Sequence, residues 1–258
     1  MTNKNRLIKQ CLPGLLLSLA LACSTSAFAA DSGGDSDWQY SGTVYLWGAN
    51  ITANTPRSDT DPLPFYKLLD NQQMAFMGVI EARNDKWAFN TDVIYMDVKA
   101  RNNDPVTGPG GGSFDARRSV ELKSWVVTPT IRYTLSETEK ARFEFVTGLR
   151  YTYIDTAANI HVEDESVLDK QVSGANWDAI IGARSIFHLN EKWYIPLYAD
   201  IGTGTSDRTW QALAGIGYRF SKVDATLAYR YLDYKFDDHQ ILADMTMKGP
   251  VAGFTFYW

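Results

Sequence analysis

The three histidines are the first side chains to ask for chemistry, because imidazole is the commonest general base near neutral pH. His161 stands among Glu163, Asp164, Glu165 and Ser166, so a base, a carboxylate and a hydroxyl fall close together. His239 follows Asp237 and Asp238, while His188 has no such company. Ser166/His161/Glu163 and Asp238/His239 can each be drawn as a hydrolytic set. A working set must be held to about 0.5 Å, and polar loops supply such neighbours without holding them. The preferred reading is a solvated acidic loop and no enzyme. Residues 155–175 carry five acids and one base, and residues 237–244 carry three acids and no base. Such carboxylates could take Ca²⁺ or Mg²⁺ weakly through oxygen. Solubility and repulsion of stray anions explain them as well. There is no HExxH and no calcium loop, so no metal and no cofactor is expected. PVTGPGGGS at 105–113 lacks the Lys-Ser/Thr of a phosphate loop and reads as a mobile tip. PFYKLLDN at 64–71 is apolar for a loop. It either packs on a rim or docks a lipid or hydrophobic solute.

None of these residues can act without elements to position them, and the elements are strands. Beyond residue 38 helical periodicity is nearly absent and period-two alternation recurs. Ten strands are expected, near 38–53, 73–84, 86–100, 117–135, 141–157, 173–189, 192–203, 207–221, 223–236 and 245–258, with eight to twelve possible. The fold class is all-β, a single antiparallel up-and-down barrel over 38–258. Short connections (83–86, 136–140, 190–192, 221–222) alternate with long ones (54–72, 101–116, 158–172, 237–244). Only 204–206 is short where a long one is due. Short turns on one side and long loops on the other mark a transmembrane barrel of the outer membrane, its turns and both termini periplasmic.

The export signal agrees. Lys4, Arg6 and Lys9 precede an apolar run from Leu12 to Ala22 and a small-x-small site at Ala27-Phe28-Ala29. Residues 1–29 therefore read as a cleaved signal peptide, followed by a polar tail to residue 37. Lipoprotein processing at Cys23 is the rival. Cleavage removes both cysteines, three of the 25 basic residues and none of the 30 acidic ones, leaving a net charge of −8. Disulfides, thiolate sites and nucleic-acid binding are then not expected. No later run reaches the ~18 apolar residues of a spanning helix.

In 193–201 one parity is Trp193, Ile195, Leu197, Ala199, Ile201; the other is Tyr194, Pro196, Tyr198, Asp200. The same split recurs in 210–220 and 223–231. Aromatics at segment ends (Trp87, Trp125, Tyr133, Tyr151, Trp177, Trp193, Trp210, Phe220) fit interfacial girdles, so the apolar parity should face lipid. A soluble lipocalin-type barrel is the competing architecture. The inward parity then collects Glu81, Asp92, Glu144, Asp178, Asp200 and Asp224 against Arg83, Arg132, Arg150, Arg184, Arg219 and Arg230. Ten strands enclose a bore that side chains can largely fill, and buried charges must pair. Two consequences stay open: a salt-bridged plug, or a narrow solute path with an electrostatic constriction.

The chain ends on alternating Phe254, Phe256 and Trp258. That ending resembles the C-terminal signal read by the barrel-assembly machinery. With VYLWGA at 44–49, MAFMG at 74–78, TWQALAG at 209–215, GYRF at 217–220 and YRYLDY at 229–234, the chain resembles small Gram-negative outer-membrane barrels of the OmpA-like, opacity-protein and OmpW-like group. The resemblance implies outer-membrane location, with lipid and lipopolysaccharide around the barrel and the assembly machinery and periplasmic chaperones as partners in biogenesis. It brings no catalytic residues. Three functions follow: a narrow or largely plugged barrel with at most slow passage of solutes or ions, a non-conducting structural or surface-interaction barrel, and an outer-leaflet hydrolase or protease.

Overall fold

The computed structural model describes residues 38–55, 58–59, 72–102, 105–107, 113–162, 165–236 and 244–258. The signal segment, the polar tail, residues 64–71, Glu163, Asp164 and His239 lie outside the described residues.

The alternating segments form strands β1 (Gln39–Trp47), β2 (Asn50–Thr55), β3 (Ser58–Asp59), β4 (Gln72–Arg83), β5 (Trp87–Asn102), β6 (Pro105–Thr107) and β7 (Ser113–Glu137). They continue as β8 (Ala141–Val162), β9 (Glu165–His188), β10 (Trp193–Gly204), β11 (Arg208–Arg219), β12 (Val223–Lys235) and β13 (Asp244–Tyr257). Strands β1, β4, β5, β7, β8, β9, β10, β11, β12 and β13 pair in that order, all antiparallel, and β1 pairs with β13 to close the ring. β2 continues β1 along β13 in the same register, Trp47 opposite Val251 and Asn50 opposite Lys248. The barrel therefore has ten strands, as the alternation predicts.

Four tight turns hold one end together. Asn84 and Trp87 exchange backbone hydrogen bonds at 2.8 and 3.1 Å, Thr138 donates to Ala141 at 2.8 Å, and Phe220 donates to Val223 at 2.9 Å. Asn190 Oδ1 accepts from the Lys192 and Trp193 amides at 2.9 and 2.8 Å, an Asx cap on the fourth turn. Tyr40 and Trp258 also exchange backbone bonds at this end, so both ends of the barrel sequence lie with the short turns.

Two expected long connections are largely strand. β8 and β9 stay paired out to Val162 opposite Glu165, so 158–162 and 165–172 are ladder rather than loop. β6 pairs with β7, Val106 opposite Phe114, so part of the expected tip at 105–113 is ladder. Hydrogen bonding to a long partner is the reason: a strand edge that would otherwise be bare stays covered.

Starting from Val44, backbone pairs lead one way through Gly78, Val93, Val127 and Tyr151 to Trp177, whose carbonyl accepts from Thr205. The other way they lead through Phe254, Ala225 and Tyr218 to Trp193, at the opposite end of β10 from Thr205. Such a stagger means strands tilted by about 40°.

The exterior carries two rings of aromatic pairs. At the short-turn end are Trp87–Tyr133 (4.8 Å between centroids), Phe143–Phe187 (5.5 Å) and Trp193–Tyr218 (4.9 Å). Towards the other end are Tyr95–Trp125 (4.5 Å), Tyr151–Trp177 (4.6 Å) and Trp210–Tyr231 (4.6 Å). On β5, β7 and β11 the two rings stand eight residues apart (Trp87 to Tyr95, Trp125 to Tyr133, Trp210 to Tyr218). Eight residues on a tilted strand span roughly 20 Å along the barrel axis. Between the rings Ile80, Leu149, Ile181, Leu197, Ile216, Leu227 and Phe254 all point out and are exposed.

Candidate functional site

The interior of the barrel is the site, and its filling comes in layers. Nearest the short turns Glu81, Arg83, Arg132, Glu144 and Arg184 form one cluster. Each lies within a few residues of its turn and on the inward parity. Arg83 Nε is 3.0 Å from Glu81 and its Nη2 2.6 Å from Glu144. Arg132 pairs with Glu81 and lies 3.6 Å from Glu144, and Arg184 donates to Glu144 at 2.9 Å. Arg219 lies 3.8 Å from Asp224, which also accepts from Tyr257 at 2.9 Å. All of these groups except Glu144 line a cavity of about 650 Å³, bounded at the rim by Gln39, Ser221 and Arg142 and at its floor by Tyr45, Gln211 and Arg230. It opens at the short-turn end.

The floor is the second layer. Arg230 crosses the bore from β12 to reach Asp92 on β5 at 2.9 Å. It also donates to the Tyr45 hydroxyl at 3.0 Å and to Gln211 Oε1 at 2.7 Å, and its guanidinium stands 4.8 Å from the centre of the Trp47 ring. Tyr45 in turn donates to Asp92 at 2.6 Å. Beside this network Arg150 binds Asp200 at 2.6 Å and Thr209 at 2.9 Å, and Tyr198 donates to Asp200 at 2.6 Å. Asp178 is fully buried and pairs with no described arginine; the Ser206 amide donates to its Oδ1 at 3.0 Å. Ser206 belongs to the one short outer connection, which tucks inward instead of rising. All twelve inward charges named from the sequence thus face the interior, and eleven take part in ion pairs.

The third layer is the part that inward projection of charges missed. Trp47, Ile51, Ile94, Met96, Val126, Ile154, Leu232, Tyr234, Phe236, Met245 and Met247 are buried inside the barrel as one apolar cluster. Thr152 and Tyr234 share a hydrogen bond of 2.7 Å across it. From the sequence a polar interior was expected along the whole bore. The signal for a change was present on β12. There Arg230, Leu232, Tyr234 and Phe236 follow one another inward while Asp233 and Lys235 follow Tyr229 and Tyr231 outward. Beyond the outer aromatic ring the exterior meets water, so the alternation reverts to that of a soluble barrel with its apolar face inside.

Every one of the ten strands contributes a buried side chain to the middle and upper layers: Trp47, Met77, Ile94, Val126, Arg150, Asp178, Asp200, Thr209, Leu232 and Met247. Side chains from all ten strands therefore fill this part of the bore among the described residues.

Phe254, Phe256 and Trp258 all face outward and are exposed. β13 is hydrogen-bonded on both sides, so it is not an edge strand. His161 lies opposite Ser166 in the β8–β9 ladder, far from the barrel rim at 188 where His188 sits. Among the described residues no three His, Cys, Asp or Glu side chains gather as metal ligands.

A closed ten-stranded up-and-down barrel, apolar outside between two aromatic rings and charged within, defines a small outer-membrane β-barrel protein. No protein family and no curated sequence matches the chain. Among solved structures it is similar to the outer membrane protease OmpT from Escherichia coli, at 8% identity over 88% of this chain and 99% of that one, with a TM-score of 0.46. It is similar also to the translocator domain of autotransporter NalP from Neisseria meningitidis (11% identity, 88% and 90% covered, TM-score 0.45) and to the attachment invasion locus protein Ail of Yersinia pestis (10%, 87% and 100%, 0.36). At such identities the likeness concerns the fold alone.

Proposed function

We propose that the protein is a non-conducting barrel of the Gram-negative outer membrane, a closed pedestal that carries the β7–β9 extension above the lipid. The observation that supports this reading is the filling of the middle section by buried side chains from all ten strands. A solute path would need a continuous wet lumen, and Arg150, Asp178, Leu232 and Tyr234 are wholly removed from water. Charges that pair across the bore, as Arg230 does with Asp92, also leave no segregated walls to guide an ion. The exterior belt takes outer-membrane lipid, with lipopolysaccharide at the outer ring. The barrel-assembly machinery and periplasmic chaperones act on the chain during biogenesis, and the reading asks no catalysis of His161, His188 or His239.

Planar-bilayer recording on the refolded protein tests it, with heat-modifiable gel migration as proof of folding. A silent bilayer is expected. Discrete openings from the folded protein would overturn the reading. The combined variant Leu232→Ala/Tyr234→Ala/Met247→Ala, which hollows the apolar layer, should begin to conduct.

A further inference from the structure

The cavity at the short-turn end has a charge defect in one wall. Arg83, Arg132 and Arg184 share only two carboxylates, Glu81 and Glu144. Elsewhere in the interior each arginine has its own: Arg230 with Asp92, Arg150 with Asp200, Arg219 with Asp224. Within the trio, Arg83 Nη1 and Arg132 Nε are buried and lack hydrogen-bond partners, Arg83 Nη2 meets Glu144 Oε1 at 2.6 Å as an ion pair without a well-aligned hydrogen bond, and Arg132 as a whole is only 4% exposed. A guanidinium carries five donors and no acceptor, so a buried one with idle donors lacks an anion or its equivalent. The wall borders the cavity of about 650 Å³, within the size range of small-molecule sites. Tyr194, on the strand next to that of Arg184, also lines the cavity and presents a ring with the Arg219 guanidinium 5.8 Å from its centre. The Tyr194 ring packs against Gly217, where any Cβ would meet it at 2.1 Å, so the glycine makes room for an aromatic surface in that wall.

We infer that this wall binds a small organic oxyanion entering from the periplasm, anchored by Arg83, Arg132 and Arg184. The planar fork of arginine matches both carboxylate and phosphate oxygens, so the shared chemistry is the oxyanion. The site depends on the fixed charge inside the barrel and not on conduction.

Calorimetric titration of the folded, full-length barrel in detergent at low salt tests it. Citrate and inorganic pyrophosphate are the probes and spermidine the cation control. One of the two anions should bind with a Kd below about 1 mM, and more weakly as salt rises. The probe that binds tighter tells whether the natural ligand is a carboxylate or a phosphate ester. Asn90→Asp is the decisive variant. Asn90 lies between Glu81 and Thr130 in the ladder, lines the same cavity and accepts from Thr130 at 3.3 Å. The substitution keeps its shape and acceptor and supplies the missing negative charge. It should weaken anion binding at least about tenfold. Arg184→Gln, at a partly exposed position, should do the same if the first variant fails to fold. Heat from neither anion, equal response to spermidine, or undiminished affinity in a folded variant would overturn the proposal.

Discussion

β12 passes through two environments, and its faces exchange roles between them. From Val223 to Tyr231 its outward side chains are Val223, Ala225, Leu227, Tyr229 and Tyr231, while Asp224, Thr226 and Arg230 face in. From Leu232 onward the apolar side chains face in and Asp233 and Lys235 face out. β7 does the same: Val127 and Ile131 face out below Trp125, whereas Lys123 and Glu121 face out above it. Neither strand slips its register at the change. What changes is the solvent outside. Lipid repels charge and leaves the interior to hold it; water accepts charge and leaves the interior to hold the apolar groups. One barrel wall therefore encloses two kinds of core, one held by directed ion pairs and the other by packing.

Substitutions that respect or violate this division should separate cleanly in urea unfolding followed by tryptophan fluorescence in lipid vesicles. The largest effect is expected in the ionic core. Glu144→Gln leaves three guanidiniums with one carboxylate and should destabilise by about 3–5 kcal/mol. Next is a charge on the lipid face: Leu227→Arg, exposed between the aromatic rings, should lose about 2–4 kcal/mol. Truncation then compares the two faces of the same strand. Leu232→Ala opens a cavity in the upper core and should cost about 3 kcal/mol. Leu227→Ala faces lipid tails that fill the space, and should cost only about 1 kcal/mol. Lys235→Ala, outward but above the outer ring, should stay within about 0.5 kcal/mol. Equal losses at Leu227→Arg and Lys235→Ala would erase the boundary drawn at the outer ring.

The strands, their order and their lipid-facing parity were legible because a half-buried strand writes its environment every second residue. The inward charges were legible for the same reason. Their partners were not, since pairing depends on tilt and stagger. Arg230 meets Asp92 only because β12 and β5 face each other across a narrow bore, and no local spacing encodes that. The upper core escaped because one lipid-facing rule was carried along each whole strand. The switch at Tyr231-Leu232-Asp233 shows where it should have stopped. The long β8–β9 ladder escaped because its polar, acidic residues read as loop, while ladder hydrogen bonds are indifferent to side-chain polarity once a partner strand is in place. Of the candidate hydrolytic set at 161–166, His161 and Ser166 stand opposite each other on the two strands of that ladder, while Glu163 lies outside the described residues.

The pairing of β1 with β13 also orders events in time. Ser41 meets Tyr257, so the contact that closes the ring joins residues from opposite ends of the barrel sequence. Such distant contacts form late, after the nearer hairpins have reduced the entropy of the search. The apolar upper core draws Trp47 and Ile51 from one end and Met245 and Met247 from the other, so it cannot dry while the sheet is open. Lateral sealing and internal drying then become a single cooperative step, and a half-made barrel has neither a finished edge nor a finished core to hold it together.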